Sequence, residues 1–160
     1  MPKNVRIVRP PLRDRLPDLG CACASVRRAA RLVTQLYSDE MGREMEPAQF
    51  SLLTVLKRRP GASQGPLGRA LGLDKTTISR NLALMQKNGW IGPAAKEDRR
   101  ERGFVLTTSG QKLLDATRPG WERAQARLRN ALDTQEWETM LKMFSRVAEA
   151  AAAARWVVEG

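Results

Sequence analysis

The chain has 160 residues, enough for one domain with a hydrophobic core. Its 28 Lys and Arg against 17 Asp and Glu give a net charge of +11, which favours a polyanionic partner such as nucleic acid or an anionic membrane. There is no histidine, which removes His-based acid–base catalysis, Ser-His-Asp and Cys-His pairs and most transition-metal sites.

No Walker loop or dinucleotide glycine pattern occurs, so the expectation is no enzyme, no cofactor and no metal. No apolar run reaches the roughly 18 residues of a membrane span. Met1 to Pro17 lacks the apolar stretch of a secretory signal. With two cysteines in all, a cytoplasmic protein in a reducing compartment is expected.

Residues 1–15 set Pro2, Pro10 and Pro11 among arginines and read as a flexible basic arm. Residues 16–46 carry a long helix, expected from Leu16 to Met41 and closed by Gly42. Its stripe of Leu19, Cys23, Val26, Ala30, Val33 and Tyr37 alternates steps of four and three, the pattern of a helix-packing seam. Cys21 and Cys23, two apart on that helix, would point about 200° apart and resist bridging each other.

A reader segment is expected over residues 47–107. Its first helix starts at Pro47, runs to about Arg59 and buries Phe50, Leu53, Val55 and Leu56, and Pro60-Gly61 ends it. Ser63 is placed to cap a short helix that stops at Gly72. Asp74 is placed to cap the next, which stops at Asn88-Gly89. Trp90-Ile91 then opens a strand, Gly92-Pro93 reads as a turn, and Lys96 to Arg102 form a charged tip. Phe104-Val105-Leu106 returns. Two helices about a glycine turn, then a hairpin, is the layout of a winged helix-turn-helix DNA reader.

Spacing divides the Asp74 helix in two. Ile78, Leu82 and Met85 fall within about 60° of one another and face the core. Thr76, Arg80, Ala83 and Lys87 lie opposite, with Thr77, Ser79 and Asn81 on the flanks. A short, polar, cationic face suits the major groove, where Arg80 can pair with guanine. Lys75, Ser63 and Gln64 are placed for phosphate and neighbouring contacts. At the hairpin tip, Asp98 is expected to orient an arginine, Arg100, towards a narrow minor groove, with Arg99 and Arg102 beside it.

Residues 108–160 read as two helices of nearly neutral charge. The first is capped by Thr107 or Thr108, with a kink or break at Pro119-Gly120. The second opens on the capping box Asp133-Thr134-Gln135-Glu136 and carries the stripe Trp137, Leu141, Phe144, Ala148, Ala151. The expected fold is mostly α with a small β-hairpin wing, a winged helix-turn-helix made dimeric through its N- and C-terminal helices.

Three segments resemble the MarR family of bacterial transcriptional regulators. They are Arg28 to Tyr37, Leu71 to Leu82, and the wing Asp98-Arg99-Arg100 through Leu106-Thr107-Thr108-Ser109-Gly110. Many wings of the family carry a further Asp and Arg where this chain has Ala95 and Glu97. The resemblance implies a homodimer on double-stranded DNA with a pseudo-palindromic operator, usually repressing. It also implies release by a small aromatic or phenolic effector. Arg27, Tyr37, Phe50 and Leu53 are candidates to line the effector crevice.

Cys23 is similar in position to the reactive cysteine of the family's hydroperoxide-sensing branch. The sensing tyrosine four residues on is Arg27 here, and Tyr37 lies about 21 Å along the helix. A thiol-sensing repressor therefore stands as the alternative, against Cys23 as a small packing residue. A winged-helix protein-interaction module is the other alternative.

Overall fold

The computed structural model describes residues 16–94 and 103–154. Six helices and one hairpin follow in the order α1 (Ala22–Met41), α2 (Pro47–Arg58), α3 (Gln64–Leu71), α4 (Lys75–Lys87), β1 (Ile91–Pro93), β2 (Phe104–Leu106), α5 (Thr108–Asn130) and α6 (Thr134–Ala154). The chain divides into two compact units. One is Leu19–Ala124, and the other holds residues 16–18 and 125–154 among those described.

The Leu19–Ala124 unit contains one continuous core. Phe50, Leu52, Leu53 and Leu56 of α2 meet Leu67 of α3, Ile78, Leu82 and Met85 of α4, Ile91 of β1 and Leu114 of α5. Each such side chain contributes about 1.5–3 kcal/mol on burial. Leu52, absent from the expected stripe, is buried, while Val55 is only half-buried. Two adjacent leucines are both covered because α2 has neighbours on more than one side.

Helix α1 starts six residues later than the expected Leu16. Pro17 and Gly20, the latter at φ +57°, keep the chain out of helix until Cys21, the N-cap. The expected break at Pro119-Gly120 does not occur, and α5 runs unbroken. Pro119 faces solvent and costs α5 one backbone hydrogen bond. Gly120 brings α5 against the end of α1, where a Cβ would lie 2.5 Å from the Glu40 carbonyl oxygen and 2.8 Å from the Met41 Cα. Arg123 clamps this approach, its Nε donating to Glu40 Oε2 at 3.0 Å and its Nη2 to the Glu40 carbonyl at 2.9 Å. Tertiary contact thus overrides a local breaker signal.

The hairpin pairs Ile91 with Leu106, Gly92 with Val105 and Pro93 with Phe104. Gly92-Pro93, expected as a turn, is therefore strand. On its other side β2 meets the loop before α3: Gly61 N donates to the Phe104 carbonyl at 2.8 Å and Phe104 N to the Ala62 carbonyl at 3.1 Å. Gly103 is required there, since a Cβ would lie 2.3 Å from the Gly61 oxygen.

In the other unit, Glu136 N donates to Asp133 Oδ1 and Asp133 N to Glu136 Oε2, the expected capping box of α6. Trp137 is its buried residue, whereas Leu141, Met143, Phe144 and Val147 are 42–48% exposed.

Candidate nucleic-acid interface

Helix α4 is positioned from both ends. At its start the Asp74 carboxylate accepts Thr76 N and Thr77 N, both at 2.9 Å, and the Thr77 hydroxyl at 2.7 Å. These bonds, the Thr77 hydroxyl first, hold the Asp74 carboxyl below its usual range, so the cap is ionised at neutral pH. Gln64 Nε2 donates to the Lys75 carbonyl at 3.2 Å and ties the head of α3 to the head of α4. At the far end Asn88 caps and Gly89 turns the chain at φ +71°. The Thr107 hydroxyl then donates to the Gly89 carbonyl at 2.6 Å and accepts Gly110 N at 3.0 Å. Gly110 is held so close that a Cβ would overlap the Trp90 carbonyl. The Leu-Thr-x-x-Gly pattern is therefore a joint between the end of α4 and the start of α5.

Ile78, Leu82 and Met85 are buried, and Lys75, Thr76, Ser79, Arg80, Ala83 and Lys87 are exposed. The structure thus gathers three cations, two hydroxyls and one methyl on the accessible side of one helix. Thr77 is different: it is half-buried and its hydroxyl is engaged by Asp74. Ser63 occupies the N-cap position of α3 without a side-chain capping bond, so its hydroxyl is not spent on the helix. The expected tip contacts Asp98, Arg99, Arg100 and Arg102 lie outside the described residues.

A hollow of about 690 Å³ opens between the head of α3, one flank of α4 and the base of the hairpin. Seven of its ten described lining residues were not among the expected site residues, the exposed Gly65 and Gln86 among them. Neither carries a charge to flag it, and only the fold brings them together.

Of the four residues expected to line an effector crevice, Phe50, Leu53 and Tyr37 meet at one core and Arg27 stands apart. Leu53 is fully buried and Phe50 is 4% exposed, stacked on Trp121 with centroids 5.7 Å apart. Both are core because α2 turns that side to its neighbours. Tyr37 packs against the same core, and burial raises its phenol pKa, leaving it neutral. Arg27 stands about 15 Å along α1 from Tyr37, in a hollow of about 340 Å³ with Leu19, Cys21, Cys23, Ala24 and Arg31. Both cysteines are exposed thiols, so Cys23 is not packed among the described residues of its chain. Cys21 sits outside the helix in extended backbone, so the helical 200° separation does not apply to the pair.

A helix-turn-helix with a paired hairpin and a polar, cationic second helix defines a winged helix-turn-helix DNA-binding protein. Residues 44–101 match the model of the MarR family. The HTH-type transcriptional regulator YwoH of Bacillus subtilis is 26% identical over 92 residues, covering 54% of this chain and 64% of YwoH. The structure of the transcriptional regulator MosR of M. tuberculosis, in complex with DNA, superposes with a TM-score of 0.75 at 29% identity. That match covers 84% of this chain and 98% of MosR. The PcaV transcriptional regulator of Streptomyces coelicolor, in complex with its natural ligand, shares the fold at a TM-score of 0.76 and 23% identity. It covers 86% of this chain and 99% of PcaV. Over residues 44–101 the chain is thus similar to the MarR family of transcriptional regulators, and over most of its length it shares the fold of a DNA-bound regulator. No helix among the described residues is long and apolar enough to cross a membrane.

Proposed function

We propose that the protein is a homodimeric repressor that binds a pseudo-palindromic operator through α4 and is released by a small aromatic or phenolic ligand. The observation that carries it is the exposed row Thr76, Arg80, Ala83 and Lys87, held on a helix whose other face is locked in the core. Arg80 reads a base edge, and Lys75 and Lys87 contact phosphate. Arg100 of the wing enters the minor groove beside them.

Dimerisation draws on exposed apolar side chains. Leu141, Met143, Phe144 and Val147 of α6 leave a helix face uncovered, and Leu19, Val26 and Leu32 give α1 or its approach another. Two copies reading two half-sites is the common helix-turn-helix solution. The ligand acts by linkage, preferring the dimer conformer whose two readers do not match the half-sites. The protein acts on DNA in the cytoplasm.

Titration onto labelled DNA from upstream of its own gene, beside a scrambled duplex, tests this reading. Strong preference for the native fragment supports it, and equal binding to both removes the operator from that site.

The exposure of Cys23 beside Arg27 and Arg31 favours one second reading, release of DNA on thiol oxidation. Hydroperoxide treatment of the bound complex tests it. Release that is lost in Cys23→Ser supports the reading, and release unchanged in that variant rejects it.

A further inference from the structure

A separate hollow, of about 420 Å³, opens between the body of α3 and the head of α4. Small-molecule sites occupy roughly 300–1,000 Å³. Its floor is apolar and fixed. Ile78 is buried and Leu73 half-buried, and the helices meet so closely at Gly68 that a Cβ there would stand 3.2 Å from the Leu73 carbonyl oxygen. The Leu73 N–H donates to the Gly68 carbonyl at 2.9 Å and holds the turn between the helices. Gln64 Nε2, donating to the Lys75 carbonyl at 3.2 Å, bridges the two helix heads. The floor is thus in place before a ligand arrives.

The rim carries charge of one sign. Arg69 and Lys75 are the charged side chains among its described lining residues, and both are exposed. Neither forms an ion pair with a described residue. The Arg69 guanidinium folds back along α3, its Nη1 standing 3.6 Å from where a Cβ of Gly65 would lie, which keeps the head at the hollow. The neighbouring Asp74 carboxylate is spent on the α4 cap. Two cations above an apolar floor select an anion with an apolar body. A sugar–phosphate strand would use the rim and leave the floor bare.

We propose that this hollow is a ligand site for a small organic carboxylate with an apolar body, the carboxylate accepting from Arg69 and the body lying on Leu73 and Ile78. Gln64 and Lys75 line the hollow and also belong to the set read above as contacting DNA. Ligand and duplex therefore exclude each other on the reader itself. The exclusion rests on the DNA-reading function proposed above; the site does not. Exclusion differs in signature from linkage through the dimer. Under exclusion the loss of DNA affinity keeps growing with ligand concentration, whereas under linkage it levels off at the coupling factor.

The test uses para-fluorobenzoate, and its neutral analogue para-fluorobenzamide, with the full chain. Fluorine NMR without DNA measures the site alone. The benzoate is expected to bind saturably. The benzamide is expected to bind roughly 10-fold more weakly, and so is the benzoate to an Arg69→Met chain, which keeps an apolar stem and loses the guanidinium. Thermal unfolding checks that this variant is folded. With the upstream duplex present, the apparent Kd for DNA is expected to rise roughly 10-fold or more at about ten times the ligand's own Kd, and to keep rising. Arg69→Met is expected to bind the duplex as wild type does and to resist the ligand. Benzoate that does not bind the free chain, or that binds Arg69→Met as tightly as wild type, overturns the site and leaves the DNA reading standing. A loss of DNA affinity that levels off overturns the exclusion. An Arg69→Met chain that binds benzoate as wild type but DNA more weakly, with a flatter salt slope, makes Arg69 a phosphate contact and overturns the site. A wild-type chain that binds benzoate but no duplex overturns the DNA reading, and the exclusion with it, while supporting the site.

Discussion

Helices α4 and α6 are both amphipathic, yet their apolar faces meet different fates. In α4 the stripe residues Ile78, Leu82 and Met85 are each at most 2% exposed, and only Leu84, off that stripe, is an exposed large apolar side chain. In α6 only Trp137 is buried, and the next two members of its stripe, Leu141 and Phe144, stay nearly half exposed. The same periodicity thus serves a helix completed by its own unit and one that is not. Amphipathicity specifies that a face must be covered; it does not specify by what.

Leu82→Ala attacks the covered helix and has the largest expected effect on stability, a loss of about 2–5 kcal/mol. Denaturant unfolding measures it, and DNA binding falls with it. Arg80→Ala spares the core: the unfolding midpoint stays put, while discrimination between operator and scrambled duplex drops roughly 10- to 100-fold.

Phe144→Ala probes the uncovered helix. Sedimentation at several protein concentrations should show weaker self-association, with a melting temperature that depends more steeply on concentration. A midpoint lowered equally at all concentrations would mean that Phe144 is covered by its own chain.

The smallest effect belongs to the α4 cap. Asp74 titrates below its usual range when folded, so its contribution is complete at neutral pH. That contribution is lost as pH falls from the ordinary aspartate range, near about 4, through the lower folded value. Thr77→Val removes the largest cause of the depression but keeps both backbone bonds. Its acid-side loss of stability should therefore be smaller and complete at a higher pH, a difference of a few degrees at most in melting scans.

The reader was legible because its signals are local. An aspartate before two threonines caps α4, and apolar steps of three and four assign its faces. The Asp133–Glu136 box is local in the same way. What escaped the sequence was set by distant neighbours. Pro119-Gly120 looks like a break until the backbone of α1 arrives at Gly120. Gly92-Pro93 looks like a turn until Val105 and Phe104 pair with it. The burial of Phe50 and Leu53 was legible, but the stacking of Trp121 on Phe50 was not. Gly65 and Gln86 carry no motif, and only the fold places them on one hollow.

The Thr107 hydroxyl joins two helices through a single oxygen, touching the carbonyl that follows α4 and the first turn of α5. Helix α5 has 23 residues and is therefore about 34 Å long. It is a lever whose short end is fastened to the recognition helix. A displacement of the first turn of α5 is passed through that oxygen to the end of α4. In the dimer proposed above, two copies present their recognition helices at a fixed separation, so a small rotation spoils the fit. On that proposal, Thr107 is a point at which the setting of α4 is controlled from outside its own helix.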